Sequence, residues 1–137
     1  MRFRQKRGRD GEEIAAAFLL SQRMRVVERN WHVRGGGLTG ELDIIAWDET
    51  GREPTLCFIE VKTRALTEDS NPQGAVNLEK QSQLSRLANA YVSNRKGPEV
   101  ACRFDVVEVW IPDGTELPRV AWHRGAFDYV SQRPRRG

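Results

Sequence analysis

Two carboxylates and a lysine at the ends of apolar runs are the residues of this sequence best suited to chemistry. Asp43 lies in the run 40–46, and Glu60 and Lys62 end the run 55–62. Alternate side chains of an extended strand share a face, so Glu60 and Lys62 project together. Polar residues and a glycine between the runs predict a hairpin, which would place Asp43 beside Glu60.

Two neighbouring carboxylates repel each other, and one of them takes up a proton unless a cation compensates. Lys62 supplies one positive charge. Mg²⁺ suits the rest of such a site, because it binds a few carboxylate oxygens and leaves positions open for phosphate oxygens. The residue types therefore indicate metal-dependent phosphodiester hydrolysis.

A plainer interpretation is that these charges are solvated residues on the polar face of a half-exposed antiparallel sheet. The apolar neighbours argue for burial instead, since Leu56 and Phe58 share the Glu60 face and Ile45 shares the Asp43 face. Strict alternation along 41–46 puts Glu41, Asp43 and Ile45 on one face and Leu42, Ile44 and Ala46 on the other.

The composition fits one globular domain, with 137 residues, 39% hydrophobic and 30% charged. No stretch approaches the roughly 18 apolar residues of a membrane span, and no signal-peptide segment follows the arginine-rich start, so we expect a cytoplasmic protein without membrane association. Cys57 and Cys102 lie in apolar runs without zinc-site spacing, which predicts two buried, reduced thiols.

Positive charge is concentrated at the two ends of the chain. Eight of the 22 basic residues precede the first acid or follow the last, and the body between them is net acidic. We therefore divide the chain into a basic N-terminal arm (1–9), a domain (10–130) and a basic C-terminal tail (131–137). Such ends either contact phosphates through salt-sensitive attraction or serve only solubility.

The first helix is predicted over 8–23, with Asp10 and Glu13 as a capping box. Glu12 then has no capping role and lies at the edge of the buried face, or is simply favoured near the helix N-terminus. A strand over 25–33 and the glycines 35–37 predict a hairpin into the Asp43 strand.

A second helix is predicted over 75–94, followed by strands over 100–111 and 117–123. Its buried stripe includes Val76, Leu84, Leu87 and Tyr91, and Lys80 falls beside that stripe. Lys80 either extends its head into solvent or reaches toward the acidic site or a bound phosphate. The helix crossover sets the 100–111 strand parallel to the Lys62 strand, in one mixed sheet with helices packed against it.

Taken together, these residues resemble a known family, the YraN-like bacterial proteins of the PD-(D/E)xK nuclease superfamily. The residues that carry the resemblance are Gly8, Gly11, Glu12, Ala15, Phe18 and Leu19, then 40–46, 58–64, Lys80 and 103–107. The stretch 35–39 before Gly40 is longer than the family pattern. The resemblance implies a restriction endonuclease-like α/β fold, a single three-layer domain with a helix-strand-strand-strand-helix-strand core.

The resemblance also implies roles for individual residues. Asp43, Glu60 and the Val61 carbonyl would hold Mg²⁺ or Mn²⁺, Lys62 would be the catalytic lysine, and Glu12 would complete the catalytic set as the helix-one acid. The ion would polarise the phosphate and lower the pKa of a bound water, which Lys62 would position. We assign Lys80 and Arg64 to nucleic-acid binding.

The predicted function is a metal-dependent endonuclease acting on nucleic acid, with DNA favoured over RNA. By analogy with the archaeal Holliday-junction resolvases, it would be structure-selective and could act as a homodimer. The alternatives are a noncatalytic nucleic-acid-binding module of the same fold, or an interaction protein whose acids are surface residues. The four tryptophans could stack on unpaired bases or fill the core.

Overall fold

The computed structural model describes residues 2–95, 99–114 and 116–131, which form five strands and three helices. In chain order the elements are α1 (Arg2–Ser21), β1 (Arg25–Gly35), β2 (Leu38–Asp48), β3 (Thr55–Arg64), α2 (Pro72–Ala75), α3 (Leu78–Arg95), β4 (Cys102–Trp110) and β5 (Arg119–Phe127). The long helices α1 and α3 pack on opposite sides of the sheet. This arrangement confirms the predicted three-layer α/β domain.

The sheet is mixed and its strands lie in the order β1-β2-β3-β4-β5. Only β3 and β4 are parallel, because α2 and α3 carry the chain back across the sheet between them, as predicted. The predicted glycine hairpin is also confirmed. Gly36 and Gly37 connect β1 to β2 with φ values of 63° and 77°, which glycine adopts at little cost.

Two apolar clusters separate along β3 according to the period of a strand. Leu56 and Phe58 pack with Leu87 on the α3 side, whereas Cys57 and Ile59 pack on the α1 side. All four β3 residues are buried. Burial on both faces explains why this strand reads as a continuous apolar run until Glu60.

In β2, the predicted strict alternation is wrong around Asp43. Leu42 packs in the same cluster as Ile45, on the α3 side, whereas Ile44 packs on the α1 side. The paired register of β2 with β3 ends at Ile44 and Ile59, one position before Asp43 and Glu60. The two strands therefore separate where the candidate carboxylates begin.

Both long helices differ from their predicted bounds. The first begins at Arg2, so Asp10 lies in its interior and the predicted Asp10–Glu13 capping box is wrong. Residues 2–9 of the predicted basic arm (1–9) form the first part of α1. Residue 1 of that arm and residues 132–137 of the predicted basic tail lie outside the described residues. The second predicted helix is broken, and α3 begins at Leu78, where the Asn77 side chain accepts a hydrogen bond from the Lys80 N–H at 2.9 Å.

The later strands occur as predicted, with shifted ends. The predicted 100–111 strand is two residues shorter at its start, and the predicted 117–123 strand runs instead from Arg119 to Phe127.

Both cysteines are free, but only Cys57 is buried, so the prediction of burial is wrong for the exposed Cys102. Within the described ranges, no helix is long and apolar enough to cross a membrane.

Candidate active site

The site forms where β2 and β3 separate, and Asp43 occupies the opening. The Val61 N–H donates to Asp43 Oδ2 at 2.8 Å. The carboxylate thus satisfies a backbone donor beyond the end of the β2–β3 pairing. This bond fixes Asp43 between the two strands.

Asp43 and Glu60 form the predicted pair, in which the two carboxyl groups share a hydrogen bond and the charge of Glu60 acts on Asp43. Burial, followed by the charge of Glu60, raises the pKa of Asp43 to about 8. Burial also raises the pKa of Glu60, against the opposing effect of the Lys80 ammonium. Without a cation, the pair therefore retains a proton at neutral pH.

Lys80 reaches this pair from the α3 side of the sheet. Its Nζ lies 3.9 Å from Glu60 Oε1. The prediction that Lys80 reaches the acidic site is confirmed, and the Asn77 cap that starts α3 sets the position of the lysine in the first turn.

Glu12 reaches the site from α1, on the opposite side of the sheet. Glu12, Glu41 and Asp43 each offer a carboxylate oxygen, and these oxygens lie within 4.8 Å of one another. Burial, followed by the charge of Asp43, raises the pKa of Glu12. With its amide nitrogen turned toward the acids, Asn30 donates to Glu41 Oε1 at 2.7 Å and to Glu12 Oε2 at 2.9 Å.

Sequence reasoning gave no role to Glu41 or Asn30. Glu41 was predicted to share a strand face with Asp43, so the alternation of the strand indicated that Glu41 could belong to the same site. Asn30 has φ 53° inside β1, a conformation that asparagine tolerates better than most residues. The sequence did not identify Asn30, because its φ and its contacts with the two acids depend on the folded arrangement of α1, β1 and β2.

Lys62 follows the site on β3 and is exposed. Its charge contributes to the lowered pKa of Glu68, after the larger effect of the hydrogen bond from the Ala65 N–H. The cation that most strongly opposes the raised pKa of Glu60 is Lys80. The catalytic role of Lys62 stays a prediction.

Arg64 does not join the acidic site around Asp43 and lies instead within a buried polar network. Its Nε donates to Glu108 Oε2 at 3.0 Å and its Nη2 to the Asn71 carbonyl at 2.8 Å. Glu108 is fully buried and also accepts from Ser70 Oγ at 2.6 Å. With a side chain only 11% exposed, Arg64 is better placed to hold the 65–71 loop on the sheet than to contact the phosphate predicted for it.

The donor set fits a hard divalent cation. The acids Glu12, Glu41, Asp43 and Glu60 supply only carboxylate oxygens, the ligands preferred by Mg²⁺ and shared by Mn²⁺. Asp43 belongs to both the Glu60 pair and the Glu12–Glu41 group. Val61 contributes its N–H to this arrangement, and a metal-binding role for its carbonyl stays a prediction.

Fold and site together define a small α/β protein with an acidic site at the opening of a mixed sheet. Residues 11–109 match the model of "Uncharacterised protein family UPF0102", and the chain belongs to that family. A UPF0102 protein of Solibacter usitatus is 40% identical over 126 residues, covering 92% of this chain and 89% of the relative. One from Chlorobium phaeobacteroides strain BS1 is 44% identical over 108 residues, 79% of each chain.

Proposed function

We propose that this protein is a Mg²⁺- or Mn²⁺-dependent nuclease of the PD-(D/E)xK superfamily, with a restriction endonuclease-like fold, that hydrolyses phosphodiester bonds in DNA. The observation that carries the proposal is the partly buried Asp43–Glu60 pair at the strand opening, with the pKa of Asp43 raised to about 8. Such a pair is stabilised when a cation binds between its oxygens. Lys80, at 3.9 Å from Glu60, adds a charge suited to a phosphate.

Each residue then has a distinct task. Asp43 and Glu60 would hold the cation, and Glu12 and Glu41 would be further carboxylate ligands on the α1 side. When bound, the cation supplies Lewis-acid chemistry, polarising the phosphate and acidifying water. Lys62 orients the attacking water and stabilises the charge that develops on the phosphate, and Lys80 binds a phosphate oxygen beside Glu60.

The alternative function is a nucleic-acid-binding module of the same fold without efficient catalysis. One observation favours it: Lys62 is exposed, and the ammonium placed beside Glu60 belongs to Lys80. In this case the metal and lysines would bind a phosphate without orienting a nucleophile.

Cleavage assays separate the two functions. The assay compares the native protein with Lys62→Ala and Asp43→Asn. The control is Arg52→Ala, which removes an exposed cation from the β2–β3 turn. Each protein is incubated with labelled single-stranded, duplex, flapped and four-way-junction DNA and with RNA, in Mg²⁺, Mn²⁺ or EDTA.

We expect metal-dependent cleavage by the native and Arg52→Ala proteins, and a loss of at least about 10²-fold in both site variants, the scale for removing one transition-state contact. Cleavage of RNA alone would show that the substrate is RNA and not DNA. Binding without cleavage of any substrate would favour the noncatalytic module. Equal cleavage by both site variants and the native protein would contradict the assignment of the site.

A further inference from the structure

Two shallow concavities flank the acidic site. The first has a volume of about 340 Å³ and is lined by Asn77, Glu79, Lys80, Gln83 and Arg86. The second, about 320 Å³, is lined by His32, Val33, Arg34, Thr39, Gly40 and Glu41. One is built on the start of α3 and the other on the β1–β2 hairpin.

Each concavity contains a residue of the acidic site. Lys80 lines the first and lies 3.9 Å from Glu60. Glu41 lines the second and belongs to the carboxylate group with Asp43. The acids therefore lie where the two concavities approach each other.

Direct contacts join the hairpin to α3. Gln83 Nε2 donates to the Thr39 carbonyl at 2.9 Å. Gly40 packs so closely that a Cβ at this position would lie 2.8 Å from Gln83 Nε2 and from Leu87 Cδ1. The two concavities consequently belong to one fixed surface, which we call the hairpin–α3 surface.

The arginines of this surface differ from most others in the described part of the chain. Arg25, Arg29, Arg64 and Arg103 pair with carboxylates, and Arg95, Arg119 and Arg124 lie over aromatic rings. Arg34 and Arg86 are exposed, and no ion pair or ring contact within the described ranges engages either guanidinium. Their donors are free to bind an external anion.

We propose that one strand of a nucleic acid crosses the hairpin–α3 surface, with Arg34 and Arg86 binding phosphates on either side of the phosphate at Asp43 and Glu60. The inference rests on the proposed nuclease function and deepens it by assigning the path of the substrate. A guanidinium binds phosphate oxygens through paired N–H donors. The acids Glu41 and Glu79 on this surface disfavour nonspecific anions, so binding should require the repeated phosphates of a strand together with the metal.

The test is a binding experiment on the Lys62→Ala protein in Mg²⁺, with fluorescently labelled single-stranded and duplex DNA. Arg34→Ala, Arg86→Ala and the double variant are compared with Arg52→Ala, which removes an exposed arginine from the distant β2–β3 turn. Kd is measured by anisotropy as the salt concentration is raised.

We expect each of the two surface variants to weaken binding several-fold and to lower the slope of log K against log salt by about 0.7–0.9, the contribution of one phosphate contact. The double variant should lose about twice that slope, and Arg52→Ala should match its parent. If the parent binds and all four variants bind equally, the path is wrong and the nuclease proposal stands. If the parent binds no nucleic acid in Mg²⁺, both proposals are contradicted.

Discussion

Asp43 serves the fold and the candidate site at the same time. Its Oδ2 accepts the Val61 N–H, and its carboxyl group is coupled to Glu60. Since burial and like charges at close range disfavour ionisation, this placement of Asp43 is a cost to the fold when no cation is bound.

Asp43→Asn should therefore stabilise the metal-free protein. The amide keeps an oxygen for the Val61 N–H. Because it is neutral, folding at neutral pH no longer requires the carboxyl pair to take up a proton. In EDTA we expect a gain of about 1 kcal/mol, a rise in melting temperature of roughly 3–6 °C for a domain of this size. Thermal unfolding followed by circular dichroism measures it.

If the proposed site binds Mg²⁺, the ion should raise the melting temperature of the native protein and leave that of Asp43→Asn unchanged, because ligand-linked stability requires the site. Asp10→Asn, an exposed change within α1, is the control and should behave as the native protein. A variant less stable than the native protein in EDTA would show that repulsion within the pair is not a significant cost.

At the scale of single residues, the sequence predicted the position of the site better than its boundaries. Asp43, Glu60 and Lys80 lie together as the predicted hairpin and the helical periodicity indicated. Periodicity could not predict that the β2–β3 pairing is interrupted at Asp43. There a side chain replaces a backbone hydrogen-bond partner, and that replacement depends on the tertiary structure. The Asn30 bridge between Glu12 and Glu41 likewise depends on how α1 and β1 approach each other.

At the scale of elements, the approach of α1 to the sheet positions Glu12. Gly11 faces β3, and a Cβ at this position would collide with Thr63 Oγ1. The absence of a side chain lets the helix axis lie close to the strand that carries Glu60. Glu12 follows directly and points toward Asp43 from this closely packed turn.

Gly11→Ala should destabilise the protein by about 1–3 kcal/mol, the usual cost of overpacking, despite the better helix propensity of alanine. Urea unfolding measures the change. Gly51→Ala is the matched control, because nothing lies within 4 Å of its Cβ position. Removing the Thr63 hydroxyl in Gly11→Ala/Thr63→Ala should recover part of the loss, and strictly additive effects would contradict the contact.

The helix ends were the least predictable feature at this scale. The apolar stripe of α3 was predicted correctly for Leu84, Leu87 and Tyr91, which are buried. Val76 fits the same spacing and is buried, yet it lies outside the helix that the Asn77 cap begins. A periodic apolar pattern does not distinguish a helical residue from a buried residue in a connecting turn.

At the scale of the whole molecule, buried carboxylates connect β4 to the rest of the domain. Arg103 joins Asp105 to Asp48 at the end of β2, and Trp122 Nε1 of β5 donates to Asp105 Oδ2. Farther along β4, Glu108 binds Arg64, His123 and the 65–71 loop. These networks cross every strand except β1.

They should make the fold sensitive to acid. Burial alone would raise the pKa of Glu108, but hydrogen bonds from Ser70, the Asn71 N–H and His123 hold it at about 2, and Thr50 chiefly lowers that of Asp48 to about 2. In the unfolded chain these groups titrate near 4.5 and 3.8. Because these two carboxyl groups bind protons less readily in the folded state, their contribution to stability is full above about pH 4.5 and declines as the pH falls toward 2.

Glu108→Gln tests this dependence. It removes the buried charge that faces Arg64 and leaves that guanidinium only the longer ion pair with the exposed Glu68, at 3.4 Å. We therefore expect a loss of about 3 kcal/mol at pH 7, the lower end of the scale for breaking a buried ion pair. Its free energy of unfolding should also fall less steeply than that of the native protein between pH 5 and 3, because one titrating carboxylate is gone. Urea unfolding at pH 7, 5 and 3 measures both, with exposed Glu53→Gln as control. Parallel pH profiles for the native and Glu108→Gln proteins would show that Glu108 does not carry the acid sensitivity.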